Sequence, residues 1–125
     1  MSIRRRPVRA TANFRRNLGR IESFLESAGA PREFEVLLQA LSAEIVPDLE
    51  RFPEIGADFL GRAPLSADGK ALFAKVARLL GPEAALRQLV RGDYILLYAL
   101  RREAIYLLAI RHHRELSFDF AGHWP

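Results

Sequence analysis

Two apolar runs in the C-terminal third place the strongest limit on what this chain can fold into. Tyr94–Leu100 reads YILLYAL and Ala104–Ile110 reads AIYLLAI. Each has the right length for a buried strand. Arg101-Arg102-Glu103 links them, and two such strands joined by a short polar link form an antiparallel hairpin. The link holds no glycine, which leaves its turn type open. Leucine is common in both runs, so a helix competes; the short runs and the turn clusters around them favour strands. Arg91-Gly92-Asp93 is one such cluster. Leu86–Val90, just before it, fits strand or helix by pattern and enters the order as a third strand.

The first half of the chain has a different period. Arg4–Ala10 contains Pro7, and Val8 and Ala10 alternate with Arg9, which predicts a short edge strand. Thr11 and Asn13 are N-cap candidates. Phe14, Leu18, Ile21, Phe24, Leu25 and Ala28 then line one helical face, with Arg15, Arg16 and Arg20 mostly off it. Gly29 and Pro31 stop this helix. A second follows on Phe34, Leu37, Leu38, Leu41 and Ile45, with Leu49 and Phe52 beyond, and Pro47 predicts a kink or break. Phe52–Pro64 reads as a loop. Ser66 is a further N-cap candidate, for a third helix on Leu72, Phe73, Val76, Leu79 and Leu80 that ends at Gly81-Pro82.

The 125 residues suit a single domain, and half of them are hydrophobic, enough for one core. Cysteine is absent, which excludes disulfides and thiolate metal sites. Nothing resembles a secretion signal, and no window approaches the roughly 18 apolar residues of a membrane span. A cytoplasmic protein without membrane contact is the expectation. The net charge of +4 is unevenly spread. Residues 1–21 carry seven arginines and no acid, and residues 22–68 carry ten acids against three arginines. Residues 69–125 carry nine basic residues against five acids. If the basic ends meet in space they form a patch for a polyanion; otherwise they are an unevenly charged solvated surface.

The order strand, two helices, extra helix, three strands resembles the small α+β fold of the RelE/ParE toxin superfamily. There, a helical hairpin after the first strand packs on a small antiparallel sheet. The stretch from Leu86 to Leu116 carries the resemblance most specifically. Its features are the polar-basic Leu86–Val90, the Tyr94 to Tyr98 strand, and Arg111-His112-His113-Arg114 after the hairpin. Phe52–Gly56 (FPEIG) resembles the segment that follows the second helix in that family. Residues 60–83 look like an insertion.

The resemblance implies the toxin of a bacterial type II toxin–antitoxin system, neutralised by a cognate antitoxin and using no cofactor. It leaves two mechanisms open. ParE-like members inhibit DNA gyrase, and that reading leads. RelE-like members cut messenger RNA on the ribosome. A non-toxic interaction domain of the same fold is the third reading. The basic groove near the C-terminal sheet is expected to receive part of the antitoxin.

Metal-free RNA cleavage needs a general base, a general acid and positive charge on the phosphorane. Arg87, Arg111 and His113 are the catalytic candidates if the chain is a nuclease. Arg87, Arg91, Arg111, His112, His113, Arg114 and Trp124 are candidates for contacting target or antitoxin. Strand alternation would put Arg111 and His113 on one face, His112 and Arg114 on the other. Helices would cover one face, leaving one pair in an open groove. Each residue has a plainer role too: a strand-end His or Arg often only bonds a carboxylate such as Glu115. Tyr94, Tyr98 and Tyr106 sit in apolar runs and are read as packing residues. His123 and Trp124 belong to an aromatic tail that either docks or stays loose. No carboxylates cluster at metal-ligand spacing, no glycine-rich phosphate loop is present, and Arg91-Gly92-Asp93 is read as a turn alone.

Overall fold

The computed structural model describes residues 6–58 and 85–113, with Ala74, Arg78 and Gly81 between them. The fold is α+β. The elements are β1 (Val8–Ala10), α1 (Ala12–Ser27), α2 (Pro31–Ala40), a π-helical turn (Leu41–Ile45), α3 (Val46–Arg51), β2 (Ala57–Asp58), β3 (Ala85–Arg91), β4 (Tyr94–Leu100) and β5 (Ile105–His112). The strands form one sheet in the order β1-β5-β4-β3-β2.

The sheet is mixed, which corrects the expected wholly antiparallel one. β3, β4 and β5 form an antiparallel meander, but β1 runs parallel to β5, with Val8 opposite Ile105 and Ala10 opposite Leu107. The chain leaves β1 and continues in the same direction, stepping from the sheet edge onto its face as α1. Thr11 makes the step. Its backbone N–H donates to the Leu107 carbonyl at 3.1 Å and its hydroxyl to the same oxygen at 2.8 Å. The hydroxyl oxygen also accepts the Phe14 N–H, capping α1.

Asn13 is not the cap. It lies inside α1 with Asn17, and both are fully buried. The reason is a β-bulge in β5. Leu97 opposes Ala109 while Tyr98 opposes Leu107, so Leu108 is the extra residue. A bulge leaves ladder groups without strand partners, and α1 supplies them. The Asn13 amide donates to the Leu108 carbonyl at 2.9 Å, and the Asn17 side-chain oxygen accepts the Ile110 N–H at 3.1 Å.

α1 ends in a Schellman motif: Gly29 takes φ 74°, its N–H donates to Glu26, and the Ala30 N–H donates to Leu25. The second helix does not break at Pro47. Leu37, Leu41, Ile45 and Leu49 are all buried. A repeat of four drifts about 40° per step around an ideal α-helix. The π-helical turn before Pro47, with the Val46 N–H bonded to Leu41, offsets that drift and keeps the four leucine and isoleucine side chains on the core side. Leu38 and Phe52, expected on the apolar face, are exposed.

The Arg91-Gly92-Asp93 cluster is a two-residue turn between paired Arg91 and Tyr94. Gly92 has φ 56° and Asp93 has negative φ, which is the type II′ pattern with glycine first. β2, inside the expected loop, pairs antiparallel with β3. Of the expected third helix, Ala74 and Arg78 are described and helical; the rest of the 60–83 segment, Gly81 apart, lies outside the described residues. No helix among the described residues is long and apolar enough to cross a membrane.

Phe14, Ile21, Leu37, Leu41, Ile45 and Leu49 pack with Leu89, Leu96, Tyr98, Leu100, Ile105, Leu107 and Ile110 as the core. Leu86, Leu97, Ala99 and Ala109, on the sheet's other face, are also buried. The expectation of one open sheet face is therefore corrected for the central strands. Their unbroken apolar character is what burial on two faces requires.

Candidate functional site

The cleft that gathers Asp93, Tyr94, His112 and His113 follows from a mismatch in length. α1 tracks β5 from Thr11 over Leu107 to Asn17 over Ile110. Its 16 residues span about 24 Å at the helical rise. The strand runs only from Leu107 to His112 beneath it, about 17 Å at the strand rise. The last turns of α1 overhang the sheet end. Phe24, expected in the core, is 66% exposed for this reason.

The overhang roofs a cleft of about 660 Å³. Ile21, Phe24 and Leu25 give it an apolar wall, Arg20 and Glu33 add charge from the helical hairpin, and Asp93, Tyr94, His112 and His113 form the sheet side. Tyr94 opposes His112 across β4 and β5, and the two rings meet edge to face with centroids 5.5 Å apart. Burial holds the Tyr94 hydroxyl above its ordinary pKa, and the nearby Glu33 and Asp93 carboxylates raise it further. His113 stands in the turn that ends β5. Its N–H donates to the Asp93 carbonyl at 2.8 Å, and its Nδ1 lies 3.2 Å from the same oxygen and 3.8 Å from an Asp93 carboxylate oxygen. The His112 and His113 ring centroids are 4.4 Å apart.

This arrangement corrects the alternation argument. His112 and His113 share one cleft, because the pleat ends at His112 and His113 turns back toward Asp93. Arg111, half-buried, lies on the opposite sheet face in a cross-strand row with Ile95 and Val90. The three nuclease candidates therefore do not meet. Arg87 is engaged elsewhere: its Nε donates to the Gly56 carbonyl at 2.7 Å and its Nη2 to the Glu54 carbonyl at 3.0 Å. Tyr98 holds the same loop from below. Its hydroxyl accepts the Gly56 N–H at 2.9 Å and donates to the Pro53 carbonyl at 2.8 Å. Burial raises the Tyr98 hydroxyl pKa, against the Gly56 bond and the Arg87 charge, which lower it. Arg91 pairs with Asp48 of α3 at 2.9 Å. Arg114, His123 and Trp124 lie outside the described residues.

Four cleft residues are not candidates by sequence: Asp93 reads as a turn residue, Tyr94 as packing and Arg20 as lying off the apolar helical face, and Glu33 carries no motif. The signal that could have found Asp93 and Tyr94 is the hairpin register, which sets Tyr94 opposite His112. Chemically, the cleft offers two imidazoles beside a carboxylate and an apolar wall for a side chain of a bound protein. Neither protein-family models nor curated proteins match the chain.

Proposed function

We propose that the chain is the toxin of a type II toxin–antitoxin pair, and that it acts by ParE-like contact with DNA gyrase. The reading rests on the resemblance carried by Tyr94–Arg114. The observation that favours contact over cleavage is the dispersal of Arg87, Arg111 and His113. One is taken up by a loop, one faces away from the cleft, and one lines it. A target-binding role needs no acid–base set, and exposed Phe24 beside the cleft suits a protein partner. The antitoxin's tail would occupy the same cleft, its apolar residues on Ile21, Phe24 and Leu25.

A second reading, ribosome-dependent cleavage of messenger RNA, draws on His112, His113 and Asp93 sharing that cleft. Inducible expression in bacteria separates the two. Arrest with filamentation and a DNA-damage response, together with loss of supercoiling by purified gyrase, supports the contact reading. Rapid loss of messenger RNA supports cleavage. Full toxicity of the Arg111→Ala, His113→Ala double variant counts against cleavage. Normal growth at high expression removes both and leaves an interaction domain. Rescue by the protein of a neighbouring short reading frame tests the antitoxin.

A further inference from the structure

We propose that Asp93, His112 and His113 bind one divalent transition-metal ion of the zinc class at the cleft. One ligand atom from each residue lies within 4.8 Å of the other two. Ligand atoms around a tetrahedral zinc sit about 3.3 Å apart, given bonds of about 2.0–2.1 Å. Small side-chain rotations close the difference. The side chains of Asp93 and His113 are 70% and 49% exposed, so packing does not oppose those rotations. His112 is the fixed member, half-buried in β5 with its ring against Tyr94. The bond from the His113 N–H to the Asp93 carbonyl ties the other two backbones together at 2.8 Å. The ligands are thus held by a type II′ turn and a strand end that are already joined.

The donor set selects the ion. Two imidazoles and one carboxylate suit zinc and its neighbours, whereas magnesium and calcium prefer oxygen alone. Each imidazole has a second ring nitrogen that can hydrogen-bond while the first takes the metal. Three protein ligands leave a fourth position, and because all three residues line the cleft, that position opens into it. Glu33, on the facing helix, adds negative charge there. The site depends on these three ligands alone, and its test reads metal binding and not toxicity.

The test is calorimetric titration of chelator-treated full-length chain with zinc chloride. The expected result is saturable binding of one ion per chain, unaffected by excess magnesium. Asp93→Asn, His112→Gln and His113→Gln are each expected to weaken it at least about tenfold. Cobalt(II) loading provides a second readout: a tetrahedral visible spectrum in the wild type that His112→Gln abolishes. Circular dichroism and metal-free melting confirm that each variant is folded. Should a histidine variant unfold, Asp93→Asn, altered at an exposed side chain, carries the test. Absence of saturable binding, unchanged affinity in all three variants, or loss of binding in His123→Gln instead would overturn the proposal.

Discussion

Tyr98→Phe isolates one oxygen atom that holds a loop to the sheet. The ring is fully buried, and its hydroxyl makes two bonds to the segment before β2. Phenylalanine keeps the packing and removes both. The Gly56 N–H, in a buried residue, loses its acceptor, and a buried donor left unpaired costs about 1–3 kcal/mol. The Pro53 carbonyl is only part-buried and can turn to water, so its share is about 0.5 kcal/mol. The expected loss is therefore roughly 1.5–3.5 kcal/mol. In urea, with a slope near the middle of the usual range, about 2 kcal/mol per molar, left unchanged, the midpoint falls by roughly 0.8–1.8 M. Arg87→Ala acts on the Gly56 carbonyl of the same loop. The double variant should fall short of the sum of the two losses by about 0.5 kcal/mol or more. Gly56→Ala attacks from the other side. A Cβ there would stand 2.7 Å from the Gln88 carbonyl oxygen and 2.8 Å from Tyr98, so backbone or a buried ring must move. A Tyr98→Phe loss below about 0.5 kcal/mol, or strictly additive losses with Arg87→Ala, would refute this account of the loop.

Three further outcomes are expected. Asn17→Leu strips the Ile110 N–H of its acceptor at the bulge and costs about 1–3 kcal/mol in urea unfolding, with faster amide exchange at Ile110; wild-type exchange there would count against it. The raised Tyr94 hydroxyl favours the neutral form in the folded chain, so its stabilisation is complete below its ordinary 10.0 and is lost as pH rises above that through the folded value. Denaturation curves at stepped alkaline pH should show a smaller decline in Tyr94→Phe than in the wild type, and equal declines would contradict the assignment. Asp48→Asn breaks a pair whose side chains are about one-third exposed, so it should cost under about 1 kcal/mol and less at high salt. A loss above about 2 kcal/mol would mean that the pair does more than join β3 to α3.

The parts of the fold that were legible in the sequence are those fixed by local periodicity. YILLYAL is β4 residue for residue, and β5 is AIYLLAI without Ala104 and with Arg111 and His112 added. Gly29 and Gly92 mark left-handed positions where the sequence places a helix stop and a turn. Pairing is less visible, because period and burial do not name the partner strand. Nothing in Val8–Ala10 says that it runs parallel to β5, and two residues at Ala57–Asp58 are too few for a pattern. Asn13 was hidden by a sound rule applied at the wrong level. Asparagine near a helix start reads as a cap, and here the backbone in need of a partner belongs to a bulge some ninety residues away.

The site was missed for a related reason. Alternation assumes that a strand continues, but a strand continues only while a neighbour pairs with it. The type II′ turn at Gly92-Asp93 begins β4 at Tyr94, and Tyr94 opposes His112. Beyond His112 the ladder toward β4 has ended, so the His113 N–H goes to the turn itself, at the Asp93 carbonyl. The length of one turn thus decides which way a histidine twenty residues later faces. It also explains why Arg111 and His113 do not share a face. Arg111 keeps the far face, His112 the near one, and His113 joins His112 because it has left the pleat. Among the described residues, chemistry at this end of the sheet is therefore built from Asp93, His112 and His113 under the overhang of α1, and not from Arg87 or Arg111.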